Sequence, residues 1–136
     1  MKPCIYMVDD EPDFQTIVHS WLEPKYDAVA LKDADQLYGA LRAKTPDLVI
    51  LDLHLVGEDG IEACRRLRAR SGLETLPILF LTASRECEDF HRSMSAGSSG
   101  YLMKPVGRRQ LLAAVDALLS EGRVAGEYAV DSGGGD

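Results

Sequence analysis

The sequence predicts a single α/β domain in which five strand–helix units build a doubly wound parallel sheet. Short apolar runs alternate five times with amphipathic helical patterns, which is typical of consecutive βα units. The chain has 136 residues, 46% apolar and 27% charged, which suits one domain with its own hydrophobic core. The runs expected as strands are CIYMV at 4–8, DAVAL at 27–31, DLVIL at 47–51, ILFL at 78–81 and GYLM at 100–103.

The segments that follow the strands carry apolar residues at helical spacing. Pro12 suits the first turn of the first helix, and Pro24 stops its pattern. The second helix is expected to run to about Lys44, while Asp59 can cap the third and Gly97 can end the fourth. The apolar positions expected on the inner faces of the five helices are Phe14, Ile17, Val18, Trp21 and Leu22; Leu37, Ala40 and Leu41; Ile61, Cys64 and Leu67; Cys87, Phe90 and Met94; and Leu111, Leu112, Val115, Leu118 and Leu119.

The net charge and the cysteines indicate which partners and which cellular location the sequence favours. A net charge of -7 argues against nucleic acid or an anionic membrane as the main partner, because a phosphate-binding face needs clustered Lys and Arg. Cys4, Cys64 and Cys87 lie in apolar segments without metal-ligand spacing, which indicates reduced core or half-buried thiols and a cytoplasmic location. No export signal or membrane-length apolar run is visible. Residues 121–136 lack a sustained period, so we expect a domain over 1–120 and then a flexible tail or linker.

Polar residues follow four of the five expected strands. Asp9 and Asp10 follow the first strand, Asp52 the third, Thr82 the fourth and Lys104 the fifth. In a parallel sheet these ends lie on one edge, and open α/β folds bind ligands there, where the strand order reverses. Each residue alone would be an ordinary cap, turn residue or solvated charge. Together they predict that three carboxylates, a hydroxyl and an ammonium group converge.

Such a cluster favours a cation and phosphoryl chemistry. Crowded carboxylates raise one another's pKa and destabilise the fold unless positive charge compensates. Mg²⁺ accepts carboxylate, water and phosphate oxygens as ligands, and Asp9, Asp10, Asp52 and a backbone carbonyl after Asp52 could supply the protein's share. An aspartate can also attack phosphorus to form an acyl phosphate, with Lys104 and Thr82 contacting the transferred group. Asp52 is the best candidate because it ends the most buried strand.

The motifs VDDEP, LDLHLVGEDG, LTA and GYLMKP, in this order and spacing, resemble those of the response-regulator receiver domain of two-component signalling. The resemblance covers residues 3–120. It implies a flavodoxin-like (βα)5 fold with strand order 2-1-3-4-5. It also implies that Asp52 is the phospho-acceptor, that Asp9 and Asp10 hold Mg²⁺ or Mn²⁺ with Asp10 as the direct ligand, and that His54 gives its backbone carbonyl to the metal.

The resemblance assigns the remaining site residues by position. Thr82 resembles the switch hydroxyl, Tyr101 the aromatic ring that moves inward with it, and Ala83 and Lys104 the residues that contact the phosphoryl group. A cis peptide bond is implied before Pro105.

Two features of the sequence modify this pattern. Leu55 and Val56 stand where the family often has Met-Pro, so the loop after Asp52 lacks its usual proline. His54 and Ser84 occupy the variable positions that tune the lifetime of the acyl phosphate through water access.

The function implied is a phosphorylation switch and not a metabolic enzyme. A sensor histidine kinase or histidine phosphotransfer protein would phosphorylate Asp52, the domain would catalyse its own dephosphorylation, and the surface of the fourth helix, fifth strand and fifth helix would change. The output domain or target is left open, and a phosphorylation-dependent homodimer is compatible with the sequence. Direct binding of this domain to nucleic acid or membrane is not expected.

Three alternative functions fit the sequence less well. A phosphatase of the haloacid-dehalogenase type needs a D-x-D pair, but the residue two after Asp52 is His54. A flavodoxin-like cofactor binder needs a Ser/Thr/Gly-rich phosphate loop, which does not follow the first strand. A receiver that binds partners without phosphate would not need the intact acidic set.

Overall fold

The structure, a computed structural model, describes residues 2–121. The predicted tail over 121–136 lies outside this range apart from its first residue. Strands and helices alternate throughout the described chain. Their bounds are β1 (Cys4–Val8), α1 (Pro12–Leu22), β2 (Asp27–Leu31), α2 (Ala34–Ala43), β3 (Leu48–Leu51), α3 (Gly60–Arg68), β4 (Ile78–Thr82), α4 (Cys87–Ser95), β5 (Gly100–Met103) and α5 (Arg108–Glu121).

The strands form one parallel sheet in the order β2-β1-β3-β4-β5, which confirms the predicted fold class. Tyr6 of β1 lies opposite Val29 of β2 on one side and Val49 of β3 on the other. β3 and β4 are buried along their whole length because helices cover both faces, and this explains their unbroken apolar sequence. β2, at the edge of the sheet, buries only one of its five residues.

Alternate residues of each strand feed two cores, one on each face of the sheet. Tyr6 of β1 packs on the face covered by α2 and α3, whereas Met7 packs on the face covered by α1 and α5. Both cores end at the carboxyl edge of the sheet. The helices therefore fix the strand ends on which the predicted site depends.

The side chains of α1 and α4 depart from the predicted pattern. Val18 and Leu22 lie on the buried face of α1. Ile17 lies at the side of this face and is 47% exposed. Ser93 is the buried residue of α4, so this helix packs on the domain through a narrow strip of its surface. Cys87 lies outside this strip. Cys87 is accordingly exposed, contrary to the prediction of a core or half-buried thiol, while Cys4 and Cys64 are buried.

No helix within residues 2–121 combines the length and the apolar character needed to cross a membrane.

The start of α3 packs directly against the end of β3. The Asp59 side chain accepts a hydrogen bond from the Ile61 amide and caps α3, while the Gly60 amide donates to the Leu53 carbonyl. A Cβ atom added at Gly60 would lie 2.1 Å from the backbone oxygen of Asp52. Glycine is therefore required at this contact, which holds the backbone of Asp52 in place.

We predict that Gly60→Ala lowers the free energy of unfolding by about 3 kcal/mol, because the added methyl group must push the Asp52 backbone aside. Gly39→Ala in α2 is the matched control. A Cβ atom there meets only the end of the Arg42 side chain at 3.8 Å, and alanine should stabilise the helix by about 0.5–1 kcal/mol. Urea unfolding of both variants checks the contrast, and equal stability of the two would contradict it.

Candidate functional site

Three aspartates at the ends of β1 and β3 form an acidic cluster. One carboxylate oxygen each from Asp9, Asp10 and Asp52 lies within 4.8 Å of the other two. Asp9 and Asp52 are buried, and Asp10 is exposed. The sheet order explains the cluster, because β1 and β3 are neighbours although about forty residues separate them along the chain.

Lys104, just beyond β5, reaches across this edge of the sheet to the acidic cluster. Its Nζ lies 2.9 Å from Asp9 Oδ2, 3.1 Å from Glu11 Oε1 and 3.4 Å from Asp52 Oδ2. Only 12% of its side chain is exposed, so solvent screens these contacts less than it screens surface pairs. Its backbone amide donates to the Thr82 carbonyl at 2.7 Å, which ties the end of β5 to the end of β4.

The charges in the site do not balance. Burial raises the pKa of Asp9, and the hydrogen bonds from Lys104 and from the Glu11 amide only partly offset this effect. Burial is also the largest single influence on Lys104 and lowers its pKa. The hydrogen bonds to Asp9 and Glu11 and the attraction of the Asp52 and Asp9 charges together outweigh burial, so the pKa of Lys104 is raised. The ammonium group is held in its charged form, yet it does not return the pKa of Asp9 to its ordinary value.

The acidic cluster has the donor set for a hard divalent cation. All three candidate ligand atoms are carboxylate oxygens that lie within 4.8 Å of one another, and carboxylate oxygens are the donors that such ions prefer. The raised pKa of Asp9 indicates that further positive charge would be favourable there. Asp9, Asp10 and Asp52 could therefore hold a metal ion.

Thr82 is the last residue of β4, one residue further than predicted, and is fully buried. Its Oγ1 accepts a hydrogen bond from the Ser84 amide at 3.2 Å, which leaves the hydroxyl hydrogen available for another acceptor. The Ser84 hydroxyl donates to Asp89 Oδ2 of α4 at 2.6 Å. Ala83, between Thr82 and Ser84, is exposed at the rim of the site.

Tyr101 of β5 lies inside the domain, with 5% of its surface exposed. Its ring meets the Phe90 ring of α4 edge-on at 5.3 Å and the Phe80 ring of β4 at 6.4 Å. Burial raises the pKa of its phenol, so this group is neutral at physiological pH. The contact with Phe90 joins β5 to α4.

The other predicted site residues lie around the acidic cluster. The His54 amide donates to Asp52 Oδ1 at 3.2 Å, while its side chain is exposed. The backbone of His54 also forms an isolated antiparallel bridge with Asp59, which closes the loop after β3. The Lys104–Pro105 peptide bond is cis.

Two contacts of Lys104 were not found by sequence reasoning. Glu11 supplies a third carboxylate, and the Phe14 ring lies 4.2 Å from Lys104 Nζ. The helical spacing of Phe14 predicts a position on the inner face of the helix, and the ring does pack against the core, but this spacing does not predict the contact with Lys104. A signal was available, because Phe14 is one helical turn beyond Asp10, so its side chain starts near the same edge of the sheet.

Removing the ammonium group should destabilise the domain in metal-free buffer. We predict that Lys104→Met lowers the free energy of unfolding by about 3 kcal/mol, because it leaves buried carboxylates without a counter-charge. Adding Asp52→Asn should recover part of this loss by removing one of those charges.

Lys25→Met is the control, because Lys25 pairs with Asp116 on the surface, where such pairs contribute about 0–1 kcal/mol. Urea unfolding in the presence of a chelator measures the free energy of unfolding of the wild type, Lys104→Met, the double variant and Lys25→Met. Similar losses for Lys104→Met and Lys25→Met would show that the site is not electrostatically strained.

Comparison with known proteins gives one consistent family. Residues 5–116 match the model of the response regulator receiver domain. The chain is 38% identical over 120 residues to the DNA-binding response regulator MtrA of Mycolicibacterium smegmatis and, over the same length, to the phosphate regulon transcriptional regulatory protein PhoB of Rhizobium meliloti. Each alignment covers 88% of this chain but 51% and 53% of the relatives, so the chain spans about half the length of the curated relatives it matches.

Solved structures show the same architecture. The receiver domain of a signal transduction histidine kinase from Syntrophus aciditrophicus superposes with a TM-score of 0.81 at 28% identity, covering 88% of this chain and 91% of that one. The chemotaxis response regulator CheY4 of Vibrio cholerae also gives 0.81, at 23% identity, over 87% of this chain and 99% of that one. The second likeness bears on the fold alone.

Proposed function

This chain belongs to the response regulator receiver domain family, and we propose that it is a phosphorylation switch in which Asp52 accepts a phosphoryl group from a phosphohistidine donor with the aid of Mg²⁺. The observation that carries the proposal is the placement of Asp52. Its carboxylate is buried beside those of Asp9 and Asp10 and lies 3.4 Å from Lys104 Nζ.

The proposed step is a phosphoryl transfer. A carboxylate oxygen of Asp52 forms a bond to phosphorus as the bond between phosphorus and the donor imidazole nitrogen breaks, and that nitrogen keeps the electron pair. Asp9, Asp10, Asp52 and the His54 carbonyl are the groups we assign to the metal. Mg²⁺, when bound there, supplies positive charge against the phosphoryl oxygens. Mn²⁺ has the same preference for oxygen ligands and would serve equally.

Residues of the chain itself supply the remaining contacts. Lys104 is charged and already at the rim of the acidic cluster, so its N–H groups can donate to phosphoryl oxygens. The buried Thr82 hydroxyl retains a hydrogen to donate, and the Ala83 amide is next along the same turn. His54 and Ser84 flank the site, where they would control the access of the water that hydrolyses the acyl phosphate.

The switch would act through α4. Thr82 and Tyr101 both connect to this helix, Thr82 through Ser84 and Asp89 and Tyr101 through Phe90. Phosphorylation would draw the Thr82 hydroxyl toward Asp52 and favour the conformer in which these contacts are rearranged. The surface of α4, β5 and α5 would then be read by an output domain or a partner protein, or by a second copy of this chain.

The donor would approach from the side of α1. A groove there runs beside the site and is lined by Phe14, Ile17 and Trp21 of α1 and by Lys104, Pro105 and Val106. Ile17 is exposed in this groove, and Lys104 contributes to its lining. A sensor histidine kinase or histidine phosphotransfer protein seated in the groove would bring its phosphohistidine to the same edge as Asp52.

Asp52→Asn should abolish labelling by acetyl phosphate in the presence of Mg²⁺, because the amide removes the nucleophilic oxygen. Intact-protein mass spectrometry, before and after treatment with hydroxylamine, measures the acyl-phosphate label. Asp47→Asn is the control, since Asp47 precedes β3 at the opposite edge of the sheet and its side chain binds the Cys4 amide instead. Label at the wild-type level in Asp52→Asn would refute the assignment.

Mg²⁺ should stabilise the folded protein by about 2.7 kcal/mol at a hundredfold excess over its Kd, because it binds the folded state alone. Asp10→Asn should lose most of this gain through the loss of a ligand. Asp13→Asn should keep it, because Asp13, an acid in the first turn of α1, lies outside the acidic cluster. Urea unfolding across a Mg²⁺ titration separates the two, and equal gains in both variants would exclude Asp10 as a ligand.

A further inference from the structure

We propose that Phe14 is a positioning residue for phosphoryl transfer, which holds the Lys104 ammonium group at the site through a cation–π contact; this inference rests on the function proposed above. The Phe14 ring centroid lies 4.2 Å from Lys104 Nζ, well inside the roughly 6 Å over which such contacts are favourable. The ring also lines a small cavity together with Asp9, Gln15 and Asp52.

The surroundings of Lys104 explain why an aromatic ring is useful there. An ammonium group has three N–H donors, and Asp9, Glu11 and Asp52 lie where each can take one. A ring face attracts the cation without occupying a donor and without adding negative charge. Phe14 can therefore keep Lys104 in place while its N–H groups change partners from carboxylates to phosphoryl oxygens.

Glu11 makes the opposite kind of contact from the same segment. Its carboxylate occupies one N–H group of Lys104 and adds a negative charge beside the position of an incoming phosphoryl group. It is also 64% exposed, so solvent screens the pair. The Phe14 contact involves an ammonium group whose side chain is only 12% exposed, a setting in which cation–π contacts are stronger. Phe14 is thus the α1 residue that favours a productive position of Lys104.

The test uses the rate at which acetyl phosphate labels Asp52, where a carboxylate oxygen attacks phosphorus and acetate leaves with the electron pair. This small donor makes no protein contacts in the α1 groove. We expect Phe14→Leu and the flexible Phe14→Met to lower the rate at saturating donor by about two- to thirtyfold, the range that corresponds to partly desolvated cation–π contacts. Phe14→Trp should restore the wild-type rate or exceed it, because the indole face attracts cations most strongly.

The control is Tyr38→Leu, which removes the ring of another cation–π pair, with Arg70 at 5.4 Å, on the other face of the sheet. Its labelling rate should stay at the wild-type level. Circular dichroism of every variant in the same buffer shows that differences in rate do not come from loss of fold. A purely structural role of Phe14 would predict that Leu and Met replace it as well as Trp does.

A second readout does not depend on phosphorylation. The ε-methylene protons of Lys104 should show an upfield ring-current shift in the NMR spectrum of the wild type, and Phe14→Leu should abolish this shift. If the wild type is labelled and Phe14→Leu is labelled at the same rate, or if the wild type shows no ring-current shift, the positioning role of Phe14 is overturned while the function proposed for Asp52 stands. An unlabelled wild type that keeps the ring-current shift overturns the function proposed for Asp52, and the positioning role falls with it.

Discussion

The contact between Lys104 and the acidic cluster is the interaction on which the rest of the site depends. A single ammonium group lies within hydrogen-bond or ion-pair distance of Asp9, Glu11 and Asp52, and Asp10 adds a further carboxylate nearby. The pKa of Asp9 stays raised in spite of this ammonium group. The folded domain therefore carries more negative than positive charge at the edge where its sheet ends, which favours the binding of a cation there.

The topology of the sheet maintains this arrangement. Because β1 lies between β2 and β3, the chain leaves β1 toward one side and returns to the other, and the crevice at that reversal is bounded by Asp9 and Asp52. β4 and β5 then place Thr82 and Lys104 along the same edge. Gly60 lets α3 start in direct contact with the Asp52 backbone, so Asp52 is supported by a helix that a larger residue at position 60 would displace.

Local sequence patterns predicted the strands and the acidic set, since both follow from apolar runs and the residues that end them. β1, β2 and β5 have the predicted bounds, whereas Thr82 belongs to β4 because its backbone continues the ladder with Met103. Local patterns could not predict contacts between residues that are distant along the chain, or how deeply each helix packs. Phe14 packs against the core as its helical spacing predicts, but its ring also faces a lysine ninety residues later, a contact that no local period encodes. Cys87 is exposed because α4 buries so little of its surface.

α4 is packed shallowly on the domain, and polar contacts connect it to residues near the acidic cluster. A series of polar contacts runs from Thr82 to the Ser84 amide, from the Ser84 hydroxyl to Asp89 of α4, then to Arg92, and from Arg92 to Asp59 at 2.9 Å. Asp59 caps α3 and pairs with His54 to close the loop that starts at Asp52, so these polar contacts lead from Thr82 at the end of β4 to the loop that follows Asp52. α4 is held by these polar contacts, by the buried Ser93 and by the Phe90–Tyr101 contact, so the hydrogen bonding of Thr82 is connected through Ser84 to one of the contacts that fix the helix. A helix buried along several turns would absorb a change in that hydrogen bonding without moving.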